Sequence, residues 1–200
     1  RATFLAEALP EGCAFATLRR QGPQAGLIEG YAAEPALLSG VGPRFGAAFG
    51  AAPDVVERQV PPVHCPALEL VRALQGTSGA GLEMALDAHE LPAGGSVAGR
   101  LVGSAGRQNW IGLIDPEGRV FSLMRRLDDP IGDERLFSFR LTEGQVGDFL
   151  VISTASDAPL VRAGALQEGS AAADFLPLLL RELAADGQGA ADIAYIRLGG

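Results

Sequence analysis

The chain has 200 residues, of which 48% are hydrophobic, so it can bury a sizeable core as one large domain or two small ones. Its formal net charge of −8 argues against binding to nucleic acid, which needs a cationic surface, and against an anionic membrane surface. All 16 basic residues are arginine, which fits either bidentate recognition of anions or the codon bias of a GC-rich genome.

The first 75 residues mix helix and strand signals. The predicted elements are, in chain order, helix 3–9, strands 13–18 and 25–31, helix 34–49, strand 55–60 and helix 65–74. Pro43 is expected to kink the second helix or split it in two, because proline removes a backbone donor. The pattern predicts a small α/β domain over residues 1–75, and the small-residue stretch 76–81 predicts a linker after it.

Residues 82–200 are dominated by short alternating strands separated by glycine, proline and aspartate. The predicted strands are 82–86, 96–102, 110–114, 119–124, 136–141 and 149–154. The turn Asp115-Pro-Glu-Gly118 joins the third strand to the fourth. A helix with Asp174 or Ser170 as its N-cap then ends at Asp186-Gly187, and residues 193–198 predict a last strand. We therefore expect an α+β protein whose second domain is an immunoglobulin-like antiparallel β-sandwich with one C-terminal helix.

Cys13 and Cys65 are the only cysteines. An even and sparse count favours one disulfide in an oxidising compartment, although two buried thiols in a cytosolic protein remain the alternative. Both cysteines fall within residues 1–75, so the disulfide would close the first domain.

Catalytic motifs are missing from the sequence. The only histidines are His64 and His89, and the nearest match to a Gly-x-Ser-x-Gly motif, at residues 76–80, fails at its last position. A chain without lysine has no Walker lysine, and the protein-kinase signatures are also absent. We expect no cofactor and no catalytic residue in this chain.

Metal and ligand contacts have weak candidates. The acidic loop with Asp128, Asp129, Asp133 and Glu134 offers carboxylates for a calcium ion but lacks EF-hand spacing, so a solvated turn is the default interpretation.

The amphipathic aromatics Trp110 and Tyr31, with Arg107 and Asn109 beside the tryptophan, are candidate contacts for a ligand or partner. A tryptophan in this position also commonly fills the core of a sandwich. The ligand or partner itself stays unknown.

Two stretches resemble known families. Residues 25–30, the helix after them and residues 53–57 resemble the BON module, an α/β unit of bacterial envelope proteins. The segments Trp110–Val120, Phe137–Phe139 and Phe149–Ser156 resemble an uncharacterised β-sandwich at the C-termini of bacterial Ser/Thr kinases and caspase-like proteins. With residues 63–68, the arrangement is similar to the region after the membrane span of proteobacterial kinases.

That resemblance implies a periplasmic sensing role in a longer signalling protein, with no family residue to carry over. The chain opens at Arg1, so we expect it to be part of a longer protein, and it contains no apolar stretch of about 20 residues. The resemblance implies that the longer protein is anchored in the membrane by a span outside these residues. The leading hypothesis is thus a non-catalytic sensor that binds a protein or small molecule. The alternatives are a hydrolase that uses a histidine and a serine, and a scaffold of the envelope or a secretion machine.

Overall fold

The computed structural model describes residues 1–50, 53–76, 81–142 and 144–199, and it confirms the α+β class. The helices are α1 (Ala2–Ala8), α2 (Val41–Phe49), α3 (Cys65–Leu74), α4 (Val161–Gly164) and α5 (Ala172–Asp186). The strands are β1 (Ala14–Leu18), β2 (Ile28–Ala32), β3 (Val55–Gln59), β4 (Glu83–Leu86), β5 (Glu90–Pro92), β6 (Ser96–Val102), β7 (Gln108–Ile114), β8 (Arg119–Ser122), β9 (Glu134–Arg140), β10 (Gly147–Ser156), β11 (Ser170–Ala171) and β12 (Ala190–Gly199). Within the described ranges no helix has the length and apolar character needed to cross a bilayer.

The first sheet has the order β1-β2-β3, antiparallel between β1 and β2 and parallel between β2 and β3. The crossover between the parallel strands holds a 3₁₀ turn, Pro35–Leu38, followed by α2. The predicted split of helix 34–49 is confirmed, because the segment forms this 3₁₀ turn and then α2 as two separate pieces. Pro43 lies in the first turn of α2, where its missing N–H costs no helical hydrogen bond. Leu5, Ile28 and Phe45 form part of the core under this layer.

Two further sheets form the sandwich, with strand orders β4-β6-β9 and β11-β8-β7-β10-β12-β5. Alternate side chains of both sheets meet in a core that includes Leu101, Ile111, Phe137 and Phe149. The chain changes sheets between its first two strands here: β4 pairs antiparallel with β6, and β5 pairs parallel with β12 in the other sheet. The short strands β5 and β11 were not predicted.

The other face of the six-stranded sheet is covered by α3 and α5. Val71 of α3, Leu179 of α5 and Ile152 of β10 belong to one buried cluster, so residues before and after the predicted linker share a core. We call residues 1–75 the N-terminal region and residues 82–200 the sandwich region. Whether these regions are independent domains stays a prediction. Residues 77–80, which are four residues of the predicted linker, lie outside the described residues. Most of the incomplete Gly-x-Ser-x-Gly match at residues 76–80 lies outside them as well.

The predicted N-cap of the long C-terminal helix is wrong. The N-cap position of α5 belongs to Ala171, because Ser170 pairs with Val120 in the short strand β11 and Asp174 is already within the first turn. The predicted end is confirmed: Gly187 takes the left-handed conformation, with φ of +68°, that glycine adopts without strain.

Cys13 and Cys65 form a disulfide, as predicted. It joins the residue before β1 to the first residue of α3 and closes a loop across 52 positions of sequence. The N-terminal sheet is therefore covalently tied to the helix that packs on the sandwich region.

Candidate functional site

A buried arginine at the end of β1 joins the two regions. The Arg19 side chain, 4% exposed, donates from Nε to Glu29 (2.7 Å) and from Nη1 to Asp192 (2.6 Å). Its Nη2 donates to the Tyr31 hydroxyl (2.9 Å) and to the carbonyl of Ile193. We call these residues the Arg19 cluster. Since β1 and β2 belong to the N-terminal region and β12 to the sandwich region, the cluster connects the two.

Two of the three charges in the cluster, those of Arg19 and Glu29, are stabilised by their partners, whereas burial raises the pKa of Asp192 more than Arg19 lowers it. Burial alone would lower the pKa of Arg19, but the carboxylates of Asp192 and Glu29, with Tyr31, raise it well above its ordinary value. Burial would likewise raise the pKa of Glu29, and the Arg19 guanidinium more than offsets this, so that pKa is lowered. The other oxygen of Glu29 accepts from Arg58 at 3.2 Å. Each buried charge in this cluster therefore has a partner, as a low-dielectric site requires.

Glu83 makes a second contact between the two regions, beside the Arg19 cluster. The carboxylate of Glu83, at the start of β4, accepts from the backbone N–H groups of Arg20 (2.7 Å) and Gln21 (2.9 Å). Asp192 in turn accepts the backbone N–H of Met84 at 2.8 Å. Two consecutive arginines and the loop after them are thus held by carboxylates of the sandwich region.

A cleft of about 450 Å³ opens next to the Arg19 cluster, which we call the junction cleft. Phe15 and Thr17 of β1 and Val71 of α3 line one part, and Leu82 and Ala191 line the other. Its volume lies within the range of small-molecule sites. Because both regions contribute walls, a molecule bound there would contact both.

Gln75 supplies a polar group to this cleft. Its amide Nε2 donates to the Ala16 carbonyl at 2.7 Å, and its Oε1 is buried with no hydrogen-bond partner among the residues described. A buried acceptor of this kind costs free energy unless a donor reaches it. Beside the apolar walls, the cleft therefore has one residue with a buried acceptor that no described residue satisfies.

Trp110, a predicted contact, is buried, with 2% exposure. Its side chain points away from the sandwich interior, towards α5, and its ring lies 5.4 Å from that of Phe175. The ring crosses Gly112, the next residue on the same face of β7, where an added Cβ would approach it to 2.4 Å. The tryptophan thus fills the layer between the sheet and α5, with its ring away from solvent.

Arg107 and Asn109 lie near Trp110 in sequence, but their side chains form hydrogen bonds with other residues of the protein. Arg107 donates to Asp157 (3.0 Å) and to the carbonyls of Ala155 and Gln188. Asn109 donates to the Ser104 and Arg107 carbonyls at 3.1 and 2.9 Å. Tyr31, the fourth predicted contact, belongs to the Arg19 cluster. The structure therefore does not bring these four residues together at an exposed surface.

The four carboxylates of the acidic loop do not come together at one point. Asp133 accepts from the backbone N–H groups of Gly103 (3.2 Å) and Ala105 (3.1 Å), and Glu134 lies 3.8 Å from Arg100. Asp128 and Asp129 are exposed. Over the described ranges, no three His, Cys, Asp or Glu side chains come together as a metal site would require.

Both histidines bind backbone carbonyls. Buried His64 donates from Nε2 to the Asp115 carbonyl at 2.8 Å, and burial lowers its pKa. The Nδ1 of His89 lies 2.8 Å from the Tyr195 carbonyl. The hydrolase alternative requires an imidazole within hydrogen-bond distance of a serine hydroxyl. Within the described residues, neither imidazole makes such a contact.

The Arg19 cluster was not predicted. Arg19 follows the predicted strand 13–18, and its partner Asp192 lies 173 positions away. One signal was available: Glu29 stands inside an apolar strand and is 1% exposed, and a carboxylate buried in this way needs a cation.

Comparison with known proteins adds no identity. No protein-family model matches the chain, and no curated protein matches it. The resemblances to a BON module and to a kinase-associated sandwich therefore remain hypotheses.

Proposed function

We propose that this chain is the non-catalytic sensor region of a bacterial envelope signalling protein and that it binds a small molecule in the junction cleft. The observation that carries the proposal is the position of that cleft, about 450 Å³, between the N-terminal and sandwich regions. A ligand in such a position can stabilise one relative arrangement of the two regions over others, which is how a binding event is passed on.

The lining indicates the kind of ligand. Among the described residues, five charged ones line the cleft. Arg19, Arg20, Glu83 and Asp192 are already paired with protein groups, and Arg1 is the fifth. The remaining walls combine apolar side chains such as Phe15 and Val71 with the buried acceptor of Gln75. We therefore expect a small, mostly apolar molecule.

The envelope assignment is supported by the disulfide. Bonds such as Cys13–Cys65 persist in oxidising compartments, and the periplasm is the bacterial one. The link to a Ser/Thr kinase comes from the resemblance of residues 110–156 to the kinase-associated sandwich. In this proposal a membrane helix and a kinase domain belong to the same parent protein.

Ligand binding is tested by filling the cleft. Thr17→Phe places a ring in the junction cleft, whereas Ser138→Phe places the same ring on the exposed face of β9 as a control. Each purified protein is incubated with a small-molecule extract of bacterial periplasm, washed by ultrafiltration and analysed by mass spectrometry. A compound retained unchanged by the wild type and by S138F, and lost from T17F, is the expected result. Retention of no compound, equal retention by T17F, or release of a chemically altered product would contradict the proposal.

The compartment has its own test. Thiols in intact cells of the source organism are blocked at harvest with a maleimide mass tag, and the chain is then examined on a gel. No tag on Cys13 or Cys65 is expected. Two tagged cysteines would exclude the envelope, and a coding sequence without a kinase domain upstream would exclude the kinase parent.

A further inference from the structure

Three arginines line an open groove at one end of the sandwich. Arg125 and Arg126 lie in the 3₁₀ turn that follows β8, and Arg140 is the last residue of β9. The groove between them has a volume of about 760 Å³, and all three side chains are exposed. We call it the arginine groove.

The three guanidinium groups have no counter-charge among the residues that the structure describes. Within the described ranges, none of them makes an ion pair or a side-chain hydrogen bond, although acidic residues outnumber basic ones by 24 to 16 in the whole chain. An acidic protein that leaves three neighbouring arginines unpaired has a local positive patch. Guanidinium groups bind carboxylates through paired hydrogen bonds, so the patch has the chemistry of an acid-binding site.

Two carboxylates of the described residues also line the groove, and each already accepts hydrogen bonds from the protein. Asp115 accepts from Arg119 Nε (2.9 Å) and from the backbone N–H of Glu117 (3.1 Å). Glu168 accepts the backbone N–H of Ser122 at 2.9 Å. Neither forms an ion pair with the three arginines, whose charge therefore remains available to a partner.

The edge of a sheet lies at the same place. β9 is the outer strand of the order β4-β6-β9, and residues 127–131 pair with the outer side of its first half. Ile131 lies opposite Glu134, Leu127 lies opposite Phe137, and the N–H of Asp128 donates to the Leu136 carbonyl (2.8 Å). In the described chain nothing pairs with that side from Ser138 to Arg140. Phe139 and Leu141 line the groove beside it. An open strand edge next to apolar side chains is a surface on which an extended peptide can add a strand.

We infer that the arginine groove docks an extended acidic segment of a partner protein, which pairs with the free edge of β9 and places carboxylates on Arg125, Arg126 and Arg140. A peptide fits better than a small anion, because the groove offers apolar side chains and a strand edge that a small anion does not use. A membrane fits less well, because the net charge of −8 repels an anionic surface. This surface is separate from the junction cleft and does not depend on the proposed function.

The probe is a fluorescein-labelled decapeptide of alternating Glu and Val, measured by fluorescence anisotropy at low salt, where exposed charges are least screened. The test variant is R125A/R126A. The control variant is R162A/R181A, which removes the same charge from two exposed arginines without ion pairs elsewhere on the protein. We expect saturable binding that weakens about tenfold in R125A/R126A and less than about twofold in R162A/R181A.

Two further probes separate the parts of the inference. The same decapeptide with alternate backbone nitrogens methylated keeps its charge but cannot pair with a strand edge, so its binding should be weaker. Citrate and vesicles that contain phosphatidylglycerol should compete poorly. The inference is overturned by the absence of saturable binding, by equal weakening in both double variants, by equal binding of the methylated peptide, or by citrate or vesicles that bind the groove as well as the peptide does. Thr17→Phe should leave peptide binding unchanged, so this test and the test of the junction cleft can fail separately.

Discussion

Two sets of arginines in this protein have opposite surroundings. At the junction, Arg19 is 4% exposed, and every nitrogen of its guanidinium donates to a protein oxygen. In the arginine groove, Arg125, Arg126 and Arg140 are exposed and have no counter-charge among the described residues. The same side chain thus stabilises the fold in one place and is free for recognition in the other. Burial and pairing separate the two roles, and composition alone cannot.

The largest expected effect comes from removing the buried guanidinium. Arg19→Met keeps a long side chain but leaves the carboxylates of Glu29 and Asp192 buried without their cation. Breaking a buried ion pair from one side costs about 3–5 kcal/mol, and with two carboxylates left we expect the upper end, about 5 kcal/mol. Urea unfolding measures the loss. Arg181→Met, on the exposed face of α5, is the control and should change the free energy of unfolding by less than about 0.5 kcal/mol. Similar values for the two variants would remove the distinction between the groups.

The disulfide tests how the junction is assembled. A bond that closes a loop across 52 positions stabilises by about 4 kcal/mol in the chain-entropy model. Cys13→Ala/Cys65→Ala should therefore lower the free energy of unfolding by about that amount, because β1, which leads into Arg19, is then no longer tied to α3. Reduction of the wild type should give a similar loss. A loss below about 1 kcal/mol would show that the Arg19 cluster and the shared core hold β1 in place without the bond.

Sequence and structure agree for the strands and turns whose signal is local and strong, although the local cap signal of Ser170 and Asp174 was wrong. The hairpin around Asp115–Gly118 was predicted because its turn residues and alternating strands lie within a few positions. Gly118 is needed there for a second reason, since its φ is +78° and an added Cβ would lie 2.9 Å from Val63. The contact with Val63 joins the two regions and could not be read from the turn itself.

The junction could not be predicted because its partners are distant in sequence. Arg19 and Asp192 are separated by 173 positions, and no periodicity links them. The face occupied by Trp110 depends on how α5 packs on the sheet, which strand alternation does not decide. The sequence therefore predicted the disulfide and most of the elements, but not β5, β11 and α4, and both clefts follow only from the assembly of the elements.

A smaller effect is expected from pH at a third point of the junction. His64 donates to the Asp115 carbonyl across the two regions, and burial lowers its pKa, although the charges of Asp148 and Asp115 oppose this. The unfolded chain takes up a proton near pH 6.5 that folded His64 excludes, so stability falls as the pH drops below about 6.5. The slope from one such group cannot exceed about 1.4 kcal/mol per pH unit.

His64→Gln tests this, because glutamine keeps a donor but does not titrate. Urea unfolding at pH 7.5, 6.5 and 5.5 should show a shallower pH dependence for the variant than for the wild type. The range stays above the lowered pKa of Glu29, whose stabilisation is present above about pH 4.3 and is lost only as the pH falls further. Identical slopes for both proteins would mean that His64 takes up its proton without a cost to the fold.

The smallest expected effect completes the comparison. If Arg125, Arg126 and Arg140 are free for recognition, then replacing all three by alanine should change the free energy of unfolding by less than about 0.5 kcal/mol. The sign should be slightly destabilising, because the chain already carries a net charge of −8 and the variant would carry −11, obtained by removing three positive charges. Added salt should abolish this residual difference if it reflects only that repulsion. A loss of 2 kcal/mol or more, on the scale expected for buried interactions, would place these arginines with Arg19 among the residues that hold the fold together.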